Sequence, residues 1–148
     1  MNMKNILIIL LFTFGISYQA TAQDKWAVVP MIHLTYDLNL KFSAGGGAAV
    51  GKRNPNAFNG AYAAYTYSLS KRGNNISVGA YTGVGWATGR IGINRMFIKS
   101  DQANKVYWGI EVSPTIVFFH LRGGLMFETG TKESNRFKPN LGVGLGLF

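Results

Sequence analysis

Downstream of residue 23 the chain alternates apolar residues with small or polar ones at a period of two, which is typical of β-strands with two different faces. Between residues 76 and 86 every second position is apolar or threonine, and the positions between them are serine, tyrosine or glycine. Residues 141 to 147 alternate leucine and valine with glycine. The pattern predicts strands near 26–36, 38–50, 58–70, 76–86, 90–99, 106–112, 115–128 and 141–147.

Turn-forming residues separate most of these strands. The expected connections are Tyr36-Asp37, Lys52 to Asn56, Lys71 to Asn75, Thr88-Gly89, Ser100 to Asn104, Ser113-Pro114 and Thr129 to Pro139. Pro30 falls inside the first strand, and the apolar phase slips at Asn94-Arg95, which predicts a β-bulge there. In an up-and-down arrangement of these strands, the longer connections at 71–75, 100–104 and 129–139 fall at one end.

Residues 1 to 22 have the pattern of a secretory signal peptide. A single positive charge at Lys4 precedes the apolar stretch from Ile6 to Ile16, and small residues follow up to Ala22. We expect cleavage after Ala22, which leaves residues 23–148 as one exported domain.

Composition narrows the class of protein. The 148 residues include 19 glycines and no cysteine, and 15 Lys plus Arg against 6 Asp plus Glu give a formal charge of +9. Without cysteine there is no disulfide, thiol nucleophile or lipidated N-terminal cysteine. No window after residue 23 holds the roughly 20 apolar residues of a membrane-spanning helix.

The two faces of the predicted strands favour a membrane barrel over a soluble exported β-sandwich binding protein, the alternative that periodicity alone leaves open. The polar face is rich in glycine and has few charges, as suits a narrow, filled interior. The apolar face carries almost no charge, as lipid requires. Aromatic residues towards the strand ends are candidates for interfacial girdles: Trp26, Tyr36, Trp86, Trp108, Phe127 and Phe148.

The signal peptide, the alternation and the last strand, Leu141 to Phe148, together resemble the small eight-stranded outer-membrane β-barrels of Gram-negative bacteria, similar to the OmpX type and the transmembrane part of OmpA. The resemblance implies an all-β, closed, antiparallel up-and-down barrel with a porin-like fold, located in the outer membrane at the cell surface. It also implies that the barrel-insertion machinery recognises the chain through Leu145, Leu147 and Phe148.

Several charged residues and histidines share the lumen-facing parity. They are His33, Lys41, Glu111, His120, Arg122, Glu128 and, through the predicted bulge, Arg95. Because a buried charge needs a partner, we expect an internal polar network that plugs the barrel. A lipid-modifying acyl hydrolase or transferase is the alternative, and it would need a nucleophile such as Ser68 or Ser70 beside His33. No local motif joins these residues, so no catalytic residue is assigned, and no metal or cofactor is expected.

If the N-terminus lies in the periplasm, the loops at 71–75, 100–104 and 129–139 lie outside, as is usual for the longer loops of outer-membrane barrels. Basic residues concentrate in these outer loops, and we take Lys71, Arg72, Lys132 and Arg136 as loop contacts. They would face phosphates of lipopolysaccharide and outer-membrane lipid, or an acidic surface partner. Nucleic acid is a poor partner for an exported barrel. The sequence therefore predicts a non-enzymatic outer-membrane barrel with a structural or surface-interaction role.

Overall fold

The computed structural model describes residues 25–70, 72–99, 104–129 and 137–147. The described chain is all-β, and its eight antiparallel strands close into a barrel in up-and-down order, which confirms the predicted fold class. The strands are β1 (Lys25–Asp37), β2 (Lys41–Arg53), β3 (Phe58–Ser68), β4 (Gly73–Val84), β5 (Ala87–Ile98), β6 (Lys105–Ile116), β7 (Phe119–Thr129) and β8 (Phe137–Leu147). The predicted signal peptide and the positions Lys71, Lys132, Arg136 and Phe148 lie outside the described residues.

Pairing of β1 with β8 closes the barrel with a defined stagger. A path that follows ladder partners once around the barrel from Lys25 returns to β1 at Thr35, ten residues further along the strand. With eight strands, this shear tilts the strands by roughly 40° and gives a backbone cylinder of roughly 8 Å radius. Such an interior is just wide enough for side chains to fill.

The two ends of the barrel differ in their connections. One end, here called the turn end, carries residues 54–57, the turns Gly85-Trp86 and Val117-Phe118, and both ends of the described chain. The opposite end, here called the loop end, carries residues 38–40 and the strand ends at Ser68 and Gly73, Ile98 and Lys105, and Thr129 and Phe137. The longest connections therefore share one end.

Three predicted turns are wrong. Tyr36-Asp37 lies at the end of β1, and the chain turns at residues 38–40 instead. Thr88-Gly89 lies within β5 and Ser113-Pro114 within β6, whereas the chain turns at Gly85-Trp86 and Val117-Phe118. Gly85 takes a positive φ of 57°, a conformation that favours glycine. Val117 also has a positive φ of 57°, although a β-branched residue gives no sequence signal for such a turn.

Pro114 is tolerated within β6 because its missing N–H group is not needed to pair the strand at this position. It pairs with Gly89 of β5, while the ladder between β6 and β7 is interrupted between Val112 and Thr115. The strand therefore continues through proline at a local break in pairing.

The predicted bulge at Asn94-Arg95 is also wrong. Arg95 pairs with Ile76 on one side and with Trp108 on the other, and both ladders of β5 run through it without interruption. The apparent phase slip comes from Met96, an apolar residue that is fully buried in the interior.

Candidate functional site

The distribution of side chains is inverted relative to a water-soluble domain. Among the described residues, 30 large hydrophobic side chains are exposed, while the buried set contains 17 polar or charged residues and 10 hydrophobic ones. Strands β3, β5 and β6 show strict alternation of buried and exposed positions over much of their length. The apolar face of the sheet therefore points outward and the polar face points into the barrel.

Arg122 on β7 is the centre of the buried polar network. Its Nε lies 3.2 Å from Glu111 Oε1, its Nη1 lies 3.7 Å from Asp37 Oδ2, and its Nη2 donates to Thr66 Oγ1 at 3.3 Å. The side chain is thus shared by residues of β1, β3 and β6. Because a buried guanidinium needs counter-charge and acceptors, this arrangement ties four strands together through one residue.

Both buried carboxylates have further donors. Glu111 accepts hydrogen bonds from Asn94 Nδ2 at 3.0 Å and from Ser113 Oγ at 3.1 Å. Asp37 Oδ1 accepts the backbone N–H groups of Asn39 and Leu40, so it also stabilises the connection between β1 and β2. Hydrogen bonds to the ionised form offset part of the cost of burying a carboxylate.

Arg90 on β5 is the second buried guanidinium. Its Nη2 lies 3.1 Å from His120 Nε2, its Nη1 lies 3.9 Å from Met31 Sδ, and its Cζ lies 5.4 Å from the ring centroid of Tyr62. With Arg122, Asp37 and Glu111, the fully buried formal charges of the described residues number two positive and two negative. They cancel, as a low-dielectric interior requires.

The two histidines lie side by side in the same network, with ring centroids 5.6 Å apart. His33 Nε2 bonds Thr66 Oγ1 at 2.9 Å, and His120 Nδ1 bonds Thr115 Oγ1 at 3.0 Å. The hydrogen bonds described for these rings join threonines and Arg90. They do not assemble a serine with a base, the arrangement that acyl transfer would need.

The serines considered as nucleophiles have other surroundings. Ser68 Oγ donates to the backbone carbonyl of Leu40, and Ser70 lies exposed in the connection after β3. Among the described residues, no group of three or more His, Cys, Asp or Glu side chains could hold a metal ion.

Lumen-facing glycines make room for the polar contacts. In the ladders, Gly45 lies between His33 and Thr66, and an added Cβ there would collide with the His33 ring. Gly142 lies between Asp37 and Arg122, and its added Cβ would come within 2.8 Å of Asp37 Cβ. The long polar side chains bond across these empty positions.

Apolar clusters flank the polar centre on both sides. The cluster towards the turn end consists of Met31, Ala49, Phe58, Tyr62, Ala64 and Tyr81. The cluster towards the loop end consists of Leu40, Met96, Tyr107 and Met126. Along the barrel axis the lumen thus contains an apolar layer, a charged layer and a second apolar layer.

The residues predicted to face the lumen divide into three groups: a buried centre, one residue at the loop end, and two residues that lie apart from the centre. His33, Glu111, His120 and Arg122 are brought together in the buried centre. Glu128 lies at the loop end, where its Oε1 is 3.0 Å from Lys105 Nζ and its Oε2 accepts from the Tyr107 hydroxyl at 3.4 Å.

Lys41 and Arg95 lie apart from the centre. Lys41 is half-buried at the loop end, with its Nζ 5.9 Å from the ring centroid of Tyr36. Placing Arg95 in the lumen is wrong: without a bulge it keeps the parity of Ile91 and Ile93, and it is exposed on the outer face. Its guanidinium contacts Phe97 and Trp108 there.

The buried network also contains residues that were not predicted, among them Asp37, Arg90 and Asn94. Asp37 was assigned to a turn, and the expected turn at Thr88-Gly89 left Arg90 at a strand start. The signal that could have found them is parity, since Arg90 and Asn94 share the face of Met96, and Asp37 shares that of His33.

Two open grooves lie on the outer face, with volumes of about 590 and 430 Å³. Val112 and Pro114 line both, and outward Gly123 forms part of the larger one. Arg122 and Gly142 also line the larger groove and Arg90 the smaller one, so both reach residues of the polar face.

The described residues contain no helix of the length and apolarity needed to cross a membrane. Comparison with protein-family models, with curated protein sequences and with solved structures gives no match to this chain.

Proposed function

We propose that this protein is a non-enzymatic outer-membrane β-barrel with a structural or surface-interaction role, a lumen plugged by its own side chains, and a basic loop end at the cell surface. The observation that carries the proposal is the inverted distribution of side chains around a closed barrel. A soluble monomer rarely exposes a contiguous apolar patch larger than about 600 Å². Here large apolar side chains are exposed on all eight strands.

The dimensions of the barrel support insertion in a bilayer. Its strands contain 11 to 13 residues. At about 3.3 Å per residue and a tilt of roughly 40°, such strands rise roughly 28–33 Å, against an apolar band of about 25 Å in outer-membrane barrels. Closure also pairs the strand edges, which hydrocarbon demands of β-structure.

The exposed side chains of the outer face form layers that match the layers of a lipid bilayer. Aliphatic side chains such as Ile93, Ile110 and Leu121 occupy its middle, and aromatic side chains lie towards both ends. The exposed aromatics towards the turn end are Trp26, Trp86, Phe118 and Phe119; those towards the loop end include Tyr36, Phe42, Tyr67, Phe127 and Phe137. Aromatic girdles at the two interfaces are a feature of such barrels.

The buried clusters support a plugged lumen over a diffusion pore. Met31 and Tyr62 close the turn-end side of the charged centre, and Leu40 and Met126 close the loop-end side. The centre itself is occupied by the contacts of Arg122. We expect the barrel to conduct no more ions than an empty bilayer does.

The proposal includes export by the signal peptide at residues 1–22, insertion by the barrel machinery of a Gram-negative cell, and display of the loop end outside. Lipopolysaccharide phosphates or an acidic surface partner are the proposed contacts of the loops. Replacing Lys132 and Arg136 by serine should leave folding intact and weaken surface binding; unchanged binding would contradict the loop role.

The first experiment is fractionation of carbonate-washed outer membranes, followed by electrophoresis with and without boiling. We expect recovery in the membrane and a heat-dependent shift in mobility, because folded membrane barrels resist detergent until heated. Recovery in the soluble fraction without a shift would contradict membrane insertion. Lipid A mass spectra from cells with and without the protein test the enzyme alternative, and we expect them to be identical.

A further inference from the structure

Arg95 occupies an unusual place on the outer face. It lies three residues before the loop end of β5, exposed, on the same side of the strand as Ile91 and Ile93. Its guanidinium carbon is 4.5 Å from the ring centroid of Phe97 and 5.3 Å from that of Trp108. Contact with two aromatic rings orients a guanidinium while its N–H donors stay available to an anion.

No acidic side chain of the described residues lies on the outer face beside Arg95. The structure describes three acidic residues, of which Asp37 and Glu111 pair with Arg122 in the lumen. Glu128 pairs with Lys105 at the loop end. Among the residues that the structure describes, the outer surface around Arg95 therefore carries only positive formal charge.

Two further cations extend this surface towards the loop end. Lys99 is the first residue after β5, four positions beyond Arg95, so it lies at the loop end of the same strand. The backbone N–H of Lys99 donates to the Arg72 carbonyl at 2.7 Å, which brings Arg72 beside it. Both side chains are exposed.

We infer that Arg95, Lys99 and Arg72 form a binding site for the phosphate groups of an anionic lipid headgroup in the leaflet at the loop end. The inference rests on the proposed membrane insertion. A guanidinium pairs with phosphate oxygens through two parallel hydrogen bonds, and Arg95 lies at the depth of the aromatic side chains, where headgroups begin. Ile91 and Ile93 continue the same face below it and offer apolar surface to the acyl chains.

The test is native mass spectrometry of the folded full chain in detergent, titrated with phosphatidic acid. Phosphatidylcholine with the same acyl chains and inorganic phosphate alone are the comparison probes. We expect phosphatidic acid adducts in preference to phosphatidylcholine, and Arg95→Gln should weaken phosphatidic acid binding roughly tenfold. Arg95→Lys should keep only part of the affinity, because an ammonium lacks the two-pronged geometry.

Lys52→Gln is the matched control, since Lys52 is an exposed cation on the outer face at the turn end, opposite Trp26 in the ladder. It should leave the affinity unchanged. Equal binding by Arg95→Gln and the unmodified chain would overturn the site, as would an equal loss in Lys52→Gln. Displacement of the lipid by equimolar inorganic phosphate would overturn the lipid as the source of the phosphate.

The heat-dependent gel shift of each variant separates this inference from the proposed function. A barrel that shows the shift but binds phosphatidic acid equally with and without Arg95 contradicts only the site. A chain that is soluble without detergent and shows no shift contradicts membrane insertion, and the lipid site with it.

Discussion

In this barrel, the two faces of a single strand differ more in the burial and polarity of their side chains than the two ends of the barrel do. On β5, Ile91 and Ile93 are more than half exposed, whereas Arg90 and Asn94 are almost completely buried. A water-soluble sheet would place the same residues the other way round. Burial here does not follow hydrophobicity, so the outer and inner faces must have been matched to two different surroundings.

The two faces also differ in how specific their contacts are. In the lumen, Arg122 contacts three named partners at defined distances, and its charge is balanced by carboxylates. The middle of the outer face consists of exposed aliphatic side chains such as Ile93 and Ile110, which have no polar groups for directional contacts. We expect inner substitutions to act through particular partners, and substitutions in this aliphatic middle through polarity and depth.

The largest expected effect is that of Arg122→Ala. It leaves Glu111 and Asp37 buried without their shared counter-charge, and loss of one member of a buried ion pair costs about 3–5 kcal/mol. The free energy of unfolding, measured by urea titration in detergent micelles, should fall by this amount. The double variant Arg122→Met, Glu111→Met keeps the remaining buried charges balanced and should recover part of the loss. An unchanged urea midpoint for Arg122→Ala would contradict a structural centre.

A charge in the middle of the outer face should act next most strongly. Ile93→Lys places an ammonium near the middle of the apolar band, where a lysine costs about 2–4 kcal/mol in a bilayer. We expect reduced folding into lipid vesicles and a lower free energy of unfolding there.

Val84→Lys is the control, because Val84 is equally outward but lies at the turn end of β4. Near the interface the same charge should cost only about 0–1 kcal/mol. Equal small effects at both positions would mean that water, not lipid, surrounds the outer face.

Adding a single methyl group to an inner glycine should have an intermediate effect. In Gly45→Ala the new Cβ meets the His33 ring and the backbone carbonyl of Tyr65, so the bond from His33 to Thr66 must shift. Overpacking of this kind costs about 1–3 kcal/mol. Urea titration in micelles measures the change.

Gly123→Ala is the matched outer variant. Its added Cβ would have only Leu141 Cδ2 within 4 Å, at 3.9 Å. Stability should stay the same or rise slightly, since alanine loses less conformational entropy than glycine on folding. A larger loss in Gly123→Ala than in Gly45→Ala would reverse the comparison between the faces.

The sequence was sufficient for the fold because alternation at a period of two reports strands and their faces directly. The turns were harder where their chemistry is atypical: Val117-Phe118 contains no turn-forming residue, while Thr88-Gly89 contains one inside a strand. The misplaced turns at Tyr36-Asp37 and Thr88-Gly89 also left Asp37 and Arg90 out of the predicted lumen set, although both are buried.

The partners of the lumen residues could not be read from alternation at all. Arg122 reaches Asp37 across the glycine at position 142 of the intervening strand, and this proximity depends on the ten-residue stagger of the closed barrel. Periodicity fixes which face a residue occupies, but it contains no information on the register between strands. Arg95 was assigned to the wrong face for a different reason. The bulge predicted from the apparent phase slip placed its side chain in the lumen, whereas it lies on the outer face.

The smallest expected effect concerns the ion pair at the loop end. Lys105 and Glu128 are 3.0 Å apart, similar to the Arg122–Glu111 distance, but the lysine side chain is 35% exposed. Solvent screens such a pair, so Lys105→Gln should lower the free energy of unfolding by only about 0–1 kcal/mol.

The small loss should shrink further in high salt, whereas the loss in Arg122→Ala should not, because buried pairs are screened much less. Urea titrations of both variants at low and high ionic strength measure this contrast. A salt-insensitive loss as large as that of Arg122→Ala would place Lys105 and Glu128 in the same desolvated surroundings as the lumen centre, and the distinction between rim and centre would fail.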